Sequence, residues 1–186
     1  MVDADRGIIF QQLIEAVEYI HQNGLIHRDI KPGNVSILSL TPPKSQLIDF
    51  GSATIKTEST NHMTGTIKYL APEIIALKKG ITQRPYTRAV DIWSLGISAY
   101  QLLRRKYVTW SSIDTHVYTC LKEELIMAEN TGTLAPLLDI AEQMIRWSAS
   151  ERISALEALR SISNGNTHKS AEANLQEFTG AKRKIA

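Results

Sequence analysis

Two short segments decide how this sequence is interpreted: His27-Arg28-Asp29-Ile30-Lys31-Pro32-Gly33-Asn34 and, fifteen residues later, Asp49-Phe50-Gly51. Together they supply two carboxylates, a lysine and a carboxamide on two neighbouring loops. Carboxylate and carboxamide oxygens are hard ligands of the kind that Mg²⁺ prefers, so Asn34 and Asp49 are candidate metal ligands. These loops therefore predict a site that holds a metal ion.

The other two polar side chains of the first segment suit the handling of phosphate. Lys31 carries a point charge that can neutralise a phosphoryl group. Asp29 provides an acceptor for the proton of an attacking hydroxyl. Because phosphoryl transfer depends on positioning and charge stabilisation more than on covalent help, this inventory predicts that chemistry.

Two further blocks follow in the chain: Gly65-Thr66-Ile67-Lys68-Tyr69-Leu70-Ala71-Pro72-Glu73 and Asp91-Ile92-Trp93-Ser94-Leu95-Gly96. All four blocks, in this order and with these gaps, resemble the protein-kinase family. The first two are similar to its catalytic and metal loops. The third resembles its peptide-docking segment with the closing Ala-Pro-Glu, and the fourth its central buried helix. The resemblance covers about residues 8–162.

The resemblance implies an ATP-dependent phosphorylation of protein hydroxyls. Asp29 would orient the substrate hydroxyl and accept its proton, and Lys31 would neutralise the transferred phosphoryl group. Asn34 and Asp49 would hold two Mg²⁺ ions that bridge the phosphates of ATP. The implied cofactors are therefore ATP and Mg²⁺, and the implied partner is a protein substrate.

Two features resemble the serine/threonine class of the family. One is Lys31, placed two residues after Asp29, and the other is the pair Gly65-Thr66 seven residues before Pro72. Thr66 is expected to hydrogen-bond both Asp29 and Lys31 and so to shape the acceptor pocket. The alternative for Thr66 is simple capping of nearby backbone.

Arg28, beside Asp29, resembles the family's mark of control by phosphorylation of the segment that follows, and the resemblance implies an upstream kinase as a partner. The candidate acceptors are Thr57, Ser59, Thr60 and Thr64. His62 occupies the place where a phosphorylated residue is most expected. The alternative is that Arg28 only hydrogen-bonds nearby backbone.

Three charged residues resemble structural elements of the family. Glu73 and Arg152 are expected to form a buried ion pair that ties the family's activation segment, which Ala71-Pro72-Glu73 closes, to the later helices. Asp91 is expected to accept backbone hydrogen bonds from the catalytic loop.

The periodicity predicts a mainly α fold of the α+β type. Apolar spacing together with helix start and stop signals predicts helices over residues 9–22, 73–78, 88–104, 113–129 (weakly patterned), 134–147 and 154–159, the last opened by the capping box Ser154-x-x-Glu157. Short apolar runs predict strands at 35–40 and 46–48, joined by a turn at 41–45. Residues 52–68 are predicted to be a polar loop, and Trp93, Trp110 and Trp147 are expected to lie in the core. These elements are similar to the C-terminal lobe of a protein kinase (residues 1–162), with a small hairpin at the catalytic loop and a flexible tail (163–186).

Composition excludes several other classes. The net charge of +2 gives no reason to expect binding to nucleic acid or to an acidic membrane. The single cysteine excludes an intramolecular disulfide framework and favours a reducing compartment. No apolar run approaches the length of a membrane span. We expect an intracellular protein of the cytoplasm or nucleus.

The family's N-terminal lobe is expected to be absent. No lysine precedes Lys31, and the earlier glycines, Gly7 and Gly24, do not form a glycine-rich loop. We therefore expect an incomplete ATP pocket, negligible phosphotransfer by the isolated chain, and an apolar surface prone to association. The alternative function is that of a non-catalytic, kinase-like binding or regulatory module.

Overall fold

Helices form most of the fold, which confirms the mainly α prediction. The structure is a computed structural model and describes residues 1–129 and 132–164. Its helices are α1 (Asp3–Gln22), α2 (Pro72–Lys78), α3 (Ala89–Arg104), α4 (Thr115–Glu129), α5 (Ala135–Met144) and α6, which occupies residues 155–164. None of the described helices combines the length and apolar character needed to cross a membrane.

Helix α3 forms the centre of the core. Its apolar residues surround the helix, and Trp93 and Leu95 are completely buried. It packs between α1 and α5, and Gly96 allows the closest approach. A Cβ atom at Gly96 would lie 2.7 Å from Cγ1 of Ile145 and 3.3 Å from the carbonyl oxygen of Ala141. The absence of a side chain at this position therefore sets the spacing of α3 and α5.

Helix α1 begins at Asp3, six residues before the predicted start at residue 9. Gly7 interrupts the apolar spacing, which is why periodicity misses the first turns. The structure shows what stabilises them: Arg6 is buried, and its Nη1 donates to the carbonyl oxygen of Leu103 at 2.5 Å. Asp3 and Asp5 add negative charge to the first turn, where the helix dipole favours it.

Two small antiparallel pairs complete the fold. β1 (Val35–Leu40) pairs with β2 (Pro43–Leu47), so that the turn is shorter than the predicted 41–45. β2 starts early because Gln12 of α1 holds it: the side-chain amide of Gln12 donates to the carbonyl oxygen of Pro43 at 3.0 Å. β3 (Glu58–Ser59) pairs with β4 (Tyr86–Thr87), although β3 lies within residues 52–68, the segment predicted as a polar loop. This pairing joins residues too far apart in sequence for local patterns to reveal.

The C-terminal part differs from the prediction in three places. α5 ends at Met144 rather than at residue 147, and Trp147, expected in the core, is 38% exposed. α6 opens with a capping box in which the backbone N–H of Ser154 donates to the Glu157 carboxylate at 2.8 Å. It continues to residue 164, past the predicted tail boundary at 163. The remainder of the predicted tail, residues 165–186, lies outside the described residues.

Candidate active site

Asp91 of α3 holds the catalytic loop in place. Its fully buried carboxylate accepts hydrogen bonds from the backbone N–H groups of His27 and Arg28, each at 2.8 Å. Nε2 of the buried His21 lies 2.9 Å from the same carboxylate. Three contacts from two segments therefore fix the start of the loop, including Arg28 in its left-handed conformation (φ 68°).

Asp29, Lys31 and Thr66 form a closed triangle of hydrogen bonds. Thr66 Oγ1 donates to Oδ1 of Asp29 at 2.7 Å, and Lys31 Nζ donates to Oδ2 of Asp29 at 2.7 Å. Lys31 Nζ also donates to Thr66 Oγ1 at 2.7 Å. A threonine 37 residues further along the chain is thus brought into the catalytic loop.

The surroundings of Asp29 keep it ionised. Partial burial acts to raise the pKa of Asp29, but the hydrogen bonds from Lys31, Thr66 and Asn34 and the Lys31 charge outweigh it. The net effect lowers the pKa of Asp29 below its ordinary value of 3.8. At neutral pH this carboxylate is therefore a charged acceptor.

Asn34 connects Asp29 to the second loop. Its Nδ2 donates to the carbonyl oxygen of Asp29 at 2.8 Å and to Oδ2 of Asp29 at 3.1 Å. The backbone carbonyl oxygen of Asn34 accepts a hydrogen bond from the backbone N–H of Ile48 at 2.9 Å. Because Val35 pairs with Leu47, the hairpin register places Asn34 opposite Ile48 and next to Asp49. The hairpin therefore brings both candidate metal ligands to the same end of β1 and β2.

The donor atoms of Asn34 and Asp49 suit Mg²⁺. Oδ1 of Asp49 accepts weakly from the backbone N–H of Gly51 at 3.2 Å. Within the described residues, Asp49 Oδ2 and Asn34 Oδ1 form no hydrogen bond, and Asp49 is exposed. A carboxylate oxygen and a carboxamide oxygen are hard ligands, so these two residues fit the metal that the sequence implies.

The docking segment, residues 65–69, lies against both the catalytic loop and α3. Gly65 has φ +88°, and a Cβ atom there would be 2.7 Å from the carbonyl oxygen of Arg28. Ser94 Oγ donates to the carbonyl oxygen of Tyr69 at 2.8 Å, and Tyr69 Oη donates to Gln101 at 2.8 Å. The sequence did not predict these contacts of Ser94 and Gln101 with Tyr69, although their spacing of seven residues places both on one face of α3.

Trp110 also supports the docking segment, a role that the sequence did not predict. The pattern indicated a core residue, yet this side chain is partly exposed and its Nε1 donates to the carbonyl oxygen of Lys68 at 3.0 Å. No local signal marks this contact, because 42 residues separate the partners. Trp110 thereby joins the segment after α3 to the docking segment.

Arg28 contacts backbone rather than a phosphate acceptor. Its Nε donates to the carbonyl oxygen of Ser52 at 2.5 Å, and its Nη2 donates to that of Ala53 at 3.3 Å. Nη1 lies 3.5 Å from Oη of Tyr86. These contacts match the alternative interpretation of the sequence, in which Arg28 only hydrogen-bonds nearby backbone. In the described part of the chain, Arg28 forms no hydrogen bond with the four candidate acceptors, Thr57, Ser59, Thr60 and Thr64.

Glu73 and Arg152 form a bidentate ion pair. Nη1 and Nη2 of Arg152 donate to the two carboxylate oxygens of Glu73 at 2.6 and 2.8 Å. Arg152 Nη1 also donates to the carbonyl oxygen of Ala89 at 2.9 Å, and the guanidinium lies 5.1 Å from the centre of the Trp93 ring. The pair therefore ties α2 to α3 and to the segment before α6.

Comparison with known proteins gives a consistent picture. Residues 2–162 match the family model described as "Protein kinase domain". The chain is 34% identical to mouse Aurora kinase C over 154 residues, covering 82% of this chain and 52% of the relative. It is 33% identical to the calcium/calmodulin-dependent protein kinase type II alpha chain of Drosophila melanogaster, covering 85% of this chain and 30% of the relative. The chain thus spans about half, or less, of the length of these relatives.

Proposed function

The chain belongs to the protein kinase domain family, and on that premise we propose that its protein transfers the γ-phosphoryl group of ATP to serine or threonine hydroxyls of a protein substrate. The observation that carries the proposal is the triangle of Asp29, Lys31 and Thr66. A structural role alone would not require a carboxylate held by three donors at an accessible loop. We further propose an intracellular location and an upstream kinase as a regulatory partner.

Asp29 is the proposed acceptor for the substrate hydroxyl. A carboxylate offers about four lone-pair sites, and the hydrogen bonds from Thr66, Lys31 and Asn34 occupy three of them. The remaining site can accept the hydroxyl of the substrate and orient its oxygen towards phosphorus. Because the pKa of Asp29 is low, the carboxylate orients the hydroxyl first and takes its proton late in the transfer.

Lys31 and Thr66 position the reacting groups. Lys31 Nζ is an ammonium with three donors; two are directed to Asp29 and Thr66, so one remains for an oxygen of the transferred group. Thr66 fixes the docking segment against Asp29, so that a bound peptide lies beside the acceptor. Asn34 and Asp49 would hold Mg²⁺, which supplies charge neutralisation on the phosphates when it is bound with ATP.

The proposal is tested by transfer of radiolabelled phosphate from Mg-ATP to a basic protein substrate, using the natural protein that contains this chain. We expect Asp29→Asn to lower kcat by about 100-fold or more. Asp139→Asn, an exposed carboxylate on α5, is the matched control and should leave kcat unchanged. Equal activity of Asp29→Asn and the unaltered protein would overturn the proposal.

A second candidate function is that of a non-catalytic module that binds a protein. It is favoured by a cavity of about 670 Å³ between the segment after α3 and α4, lined in part by Tyr107, Trp110 and Val117. Trp110 connects this cavity to the docking segment. Binding of a protein substrate that persists in Asp29→Asn and is lost in Trp110→Ala, without phosphotransfer by the unaltered protein, would favour this candidate.

A further inference from the structure

An apolar groove lies where the first turns of α1, the start of α5 and the end of α6 meet. It has a volume of about 480 Å³, a size typical of pockets that hold apolar groups. Its lining is mainly apolar and includes Ile8, Leu134, Leu137, Ile140 and Ile162. None of the residues proposed to act in catalysis lines it. The groove is therefore separate from the candidate active site.

Close packing of α1 against α5 builds the floor of this groove. A Cβ atom at Gly7 would lie 3.1 Å from Cδ1 of Leu137 and 3.9 Å from Cδ2 of Leu134. Leu134 and Ile140 are buried, whereas Ile8, at the edge, is 42% exposed. The groove thus has a packed floor and an apolar edge in contact with water. Covering that edge with another apolar group releases this water and is favourable.

The described part of the chain ends beside the groove. Ser161 and Ile162 of α6 line it, and residue 164 is the last that the structure describes. Residues 165–174 give a linker of about 35 Å at full extension, which is long enough to lead the chain back to the groove. A segment tethered this closely has an effective concentration on the order of millimolar, so that even a weak site is occupied.

The segment that follows this linker has side chains suited to an apolar groove. Ala171, Leu175 and Phe178 follow the spacing i, i+4, i+7, by which one face of an amphipathic helix presents anchors to a groove. Polar residues occupy most positions between them. Leu175, Phe178 and Ile185 are the large apolar residues of 165–186. Two of the three therefore fall within one short stretch, 171–178.

The charges of the groove and of the segment have opposite signs. Asp3 and Asp139 line the groove, and among the described residues no cation does. Asp3 is paired with Arg6, whereas Asp139 accepts from Gln143 at 2.9 Å and takes part in no ion pair within the described part of the chain. The segment ends in the basic cluster Lys182-Arg183-Lys184. Exposed ion pairs contribute little each, so the charges orient the segment while the apolar side chains provide the binding.

We propose that residues 171–178 of this chain bind in the groove formed by α1, α5 and α6, with Leu175 and Phe178 as the apolar anchors. The basic cluster then lies on the side of the two carboxylates. Binding covers the exposed edge at Ile8 and joins the end of the chain to the first turns of α1. The proposal does not rest on the proposed function, because it involves neither ATP nor a protein substrate.

The first test places 4-fluorophenylalanine at position 178 of the full chain by expanded genetic coding and measures ¹⁹F relaxation caused by a soluble paramagnetic agent. We expect this relaxation to be about threefold weaker than in a free peptide of residues 165–186, as for a segment bound in about 70% of the chains. Ile8→Ser should remove most of this protection. Ile126→Ser, which changes a 52% exposed isoleucine of α4 outside the groove, is the matched control and should preserve it.

The second test adds the peptide of residues 165–186 to the full chain. The double variant Leu175→Ser, Phe178→Ser should bind it about tenfold more tightly than the unaltered chain, because the tethered segment of the unaltered chain competes for the groove. Asn174→Ser, Gln176→Ser, which changes polar residues beside the anchors, is the matched control and should bind the peptide as the unaltered chain does.

Equal ¹⁹F relaxation in the full chain and the free peptide would overturn the proposal, and so would protection that survives Ile8→Ser. Equal peptide affinity of the unaltered chain and the double variant would show that the segment does not occupy the groove. Protection that grows with protein concentration would assign the bound segment to a second copy of the chain and would also overturn it. None of these readouts uses phosphotransfer, so they succeed or fail independently of the proposed function.

Discussion

At the scale of single residues, the site is organised by donors that converge on two carboxylates. Asp91 is buried and accepts from the backbone, which makes it a support for the loop. Asp29 is partly exposed and accepts from side chains, which leaves it accessible to a substrate. The same functional group thus has two roles, and burial and the type of donor decide between them.

We predict that Thr66→Val raises the pKa of Asp29, because it removes one of the hydrogen bonds that stabilise the charged form. A depressed pKa contributes stability above about pH 3.8, the ordinary value, and this contribution is lost as pH falls through the folded-state value. In Thr66→Val this contribution should be smaller, and its loss should be complete at a higher pH. Carboxyl ¹³C NMR titration measures the shift, with Thr64→Val as the control, and an unchanged Asp29 titration would contradict the prediction.

We predict that Glu73→Gln lowers the free energy of unfolding by about 3 kcal/mol, because it leaves the guanidinium of Arg152 buried with reduced compensation. The Arg152 side chain is 1% exposed and that of Glu73 is 24% exposed. Urea denaturation measures the change. Lys106→Gln removes one partner of a half-exposed pair and should cost less than about 1 kcal/mol; similar losses in both variants would show that burial is not the cause.

At the scale of elements, the β1–β2 hairpin positions the proposed metal ligands Asn34 and Asp49, and α1 positions the hairpin. The Gln12 side chain donates to the carbonyl oxygen of Pro43 and accepts from the backbone N–H of Ser45 at 2.8 Å. The register of β1 and β2 then places Asn34 beside Asp49. One glutamine on a helix therefore contributes to the geometry of the proposed metal site without touching it.

We predict that Gln12→Ala loosens the hairpin and lowers the free energy of unfolding by about 1–3 kcal/mol, because it removes partners of backbone groups in β2. Amide hydrogen exchange should show faster exchange at Ser45. The matched control is Gln11→Ala, whose side chain, within the described residues, hydrogen-bonds Glu15 on the same helix and no group of the hairpin. Unchanged exchange at Ser45 in Gln12→Ala would show that α1 does not hold the hairpin.

At the scale of the whole molecule, helices pack around α3 while the hairpin end presents apolar side chains to solvent. Three side chains of β1 are substantially exposed: Ile37 at 45%, Leu38 at 61% and Leu40 at 53%. Ile48 and Phe50, at the other end of the hairpin and just beyond it, are 38% and 45% exposed. Several large apolar side chains exposed on one element are typical of a region that another structure covers.

We predict that the 186-residue chain self-associates in solution through this hairpin surface, because water is released when apolar side chains pair. Light scattering measures the association. The double variant Leu38→Ser, Leu40→Ser should reduce it, whereas Tyr107→Ser, a change at a remote and more exposed side chain, should not. A monodisperse monomer for the unaltered chain would rule the prediction out.

The sequence by itself determined the family resemblance, the inventory of the site and the existence of the main helices. These follow from signals carried within one segment, such as apolar spacing in α3 or the residue types at 27–34. The contact of Thr66 with Asp29 was also expected, but only because the resemblance supplied it. Physical patterns alone do not relate residues 37 positions apart.

The tertiary structure alone decided the start of α1, the partners of Arg28 and the pairing of β3 with β4. Each depends on packing between distant segments: Arg6 is held by the end of α3, and the second strand pair joins residues 58–59 to 86–87. Burial along one helix leaves a periodic trace in sequence, since every turn repeats the same environment. A single long-range hydrogen bond leaves no such trace, because it requires only one suitable group at each end.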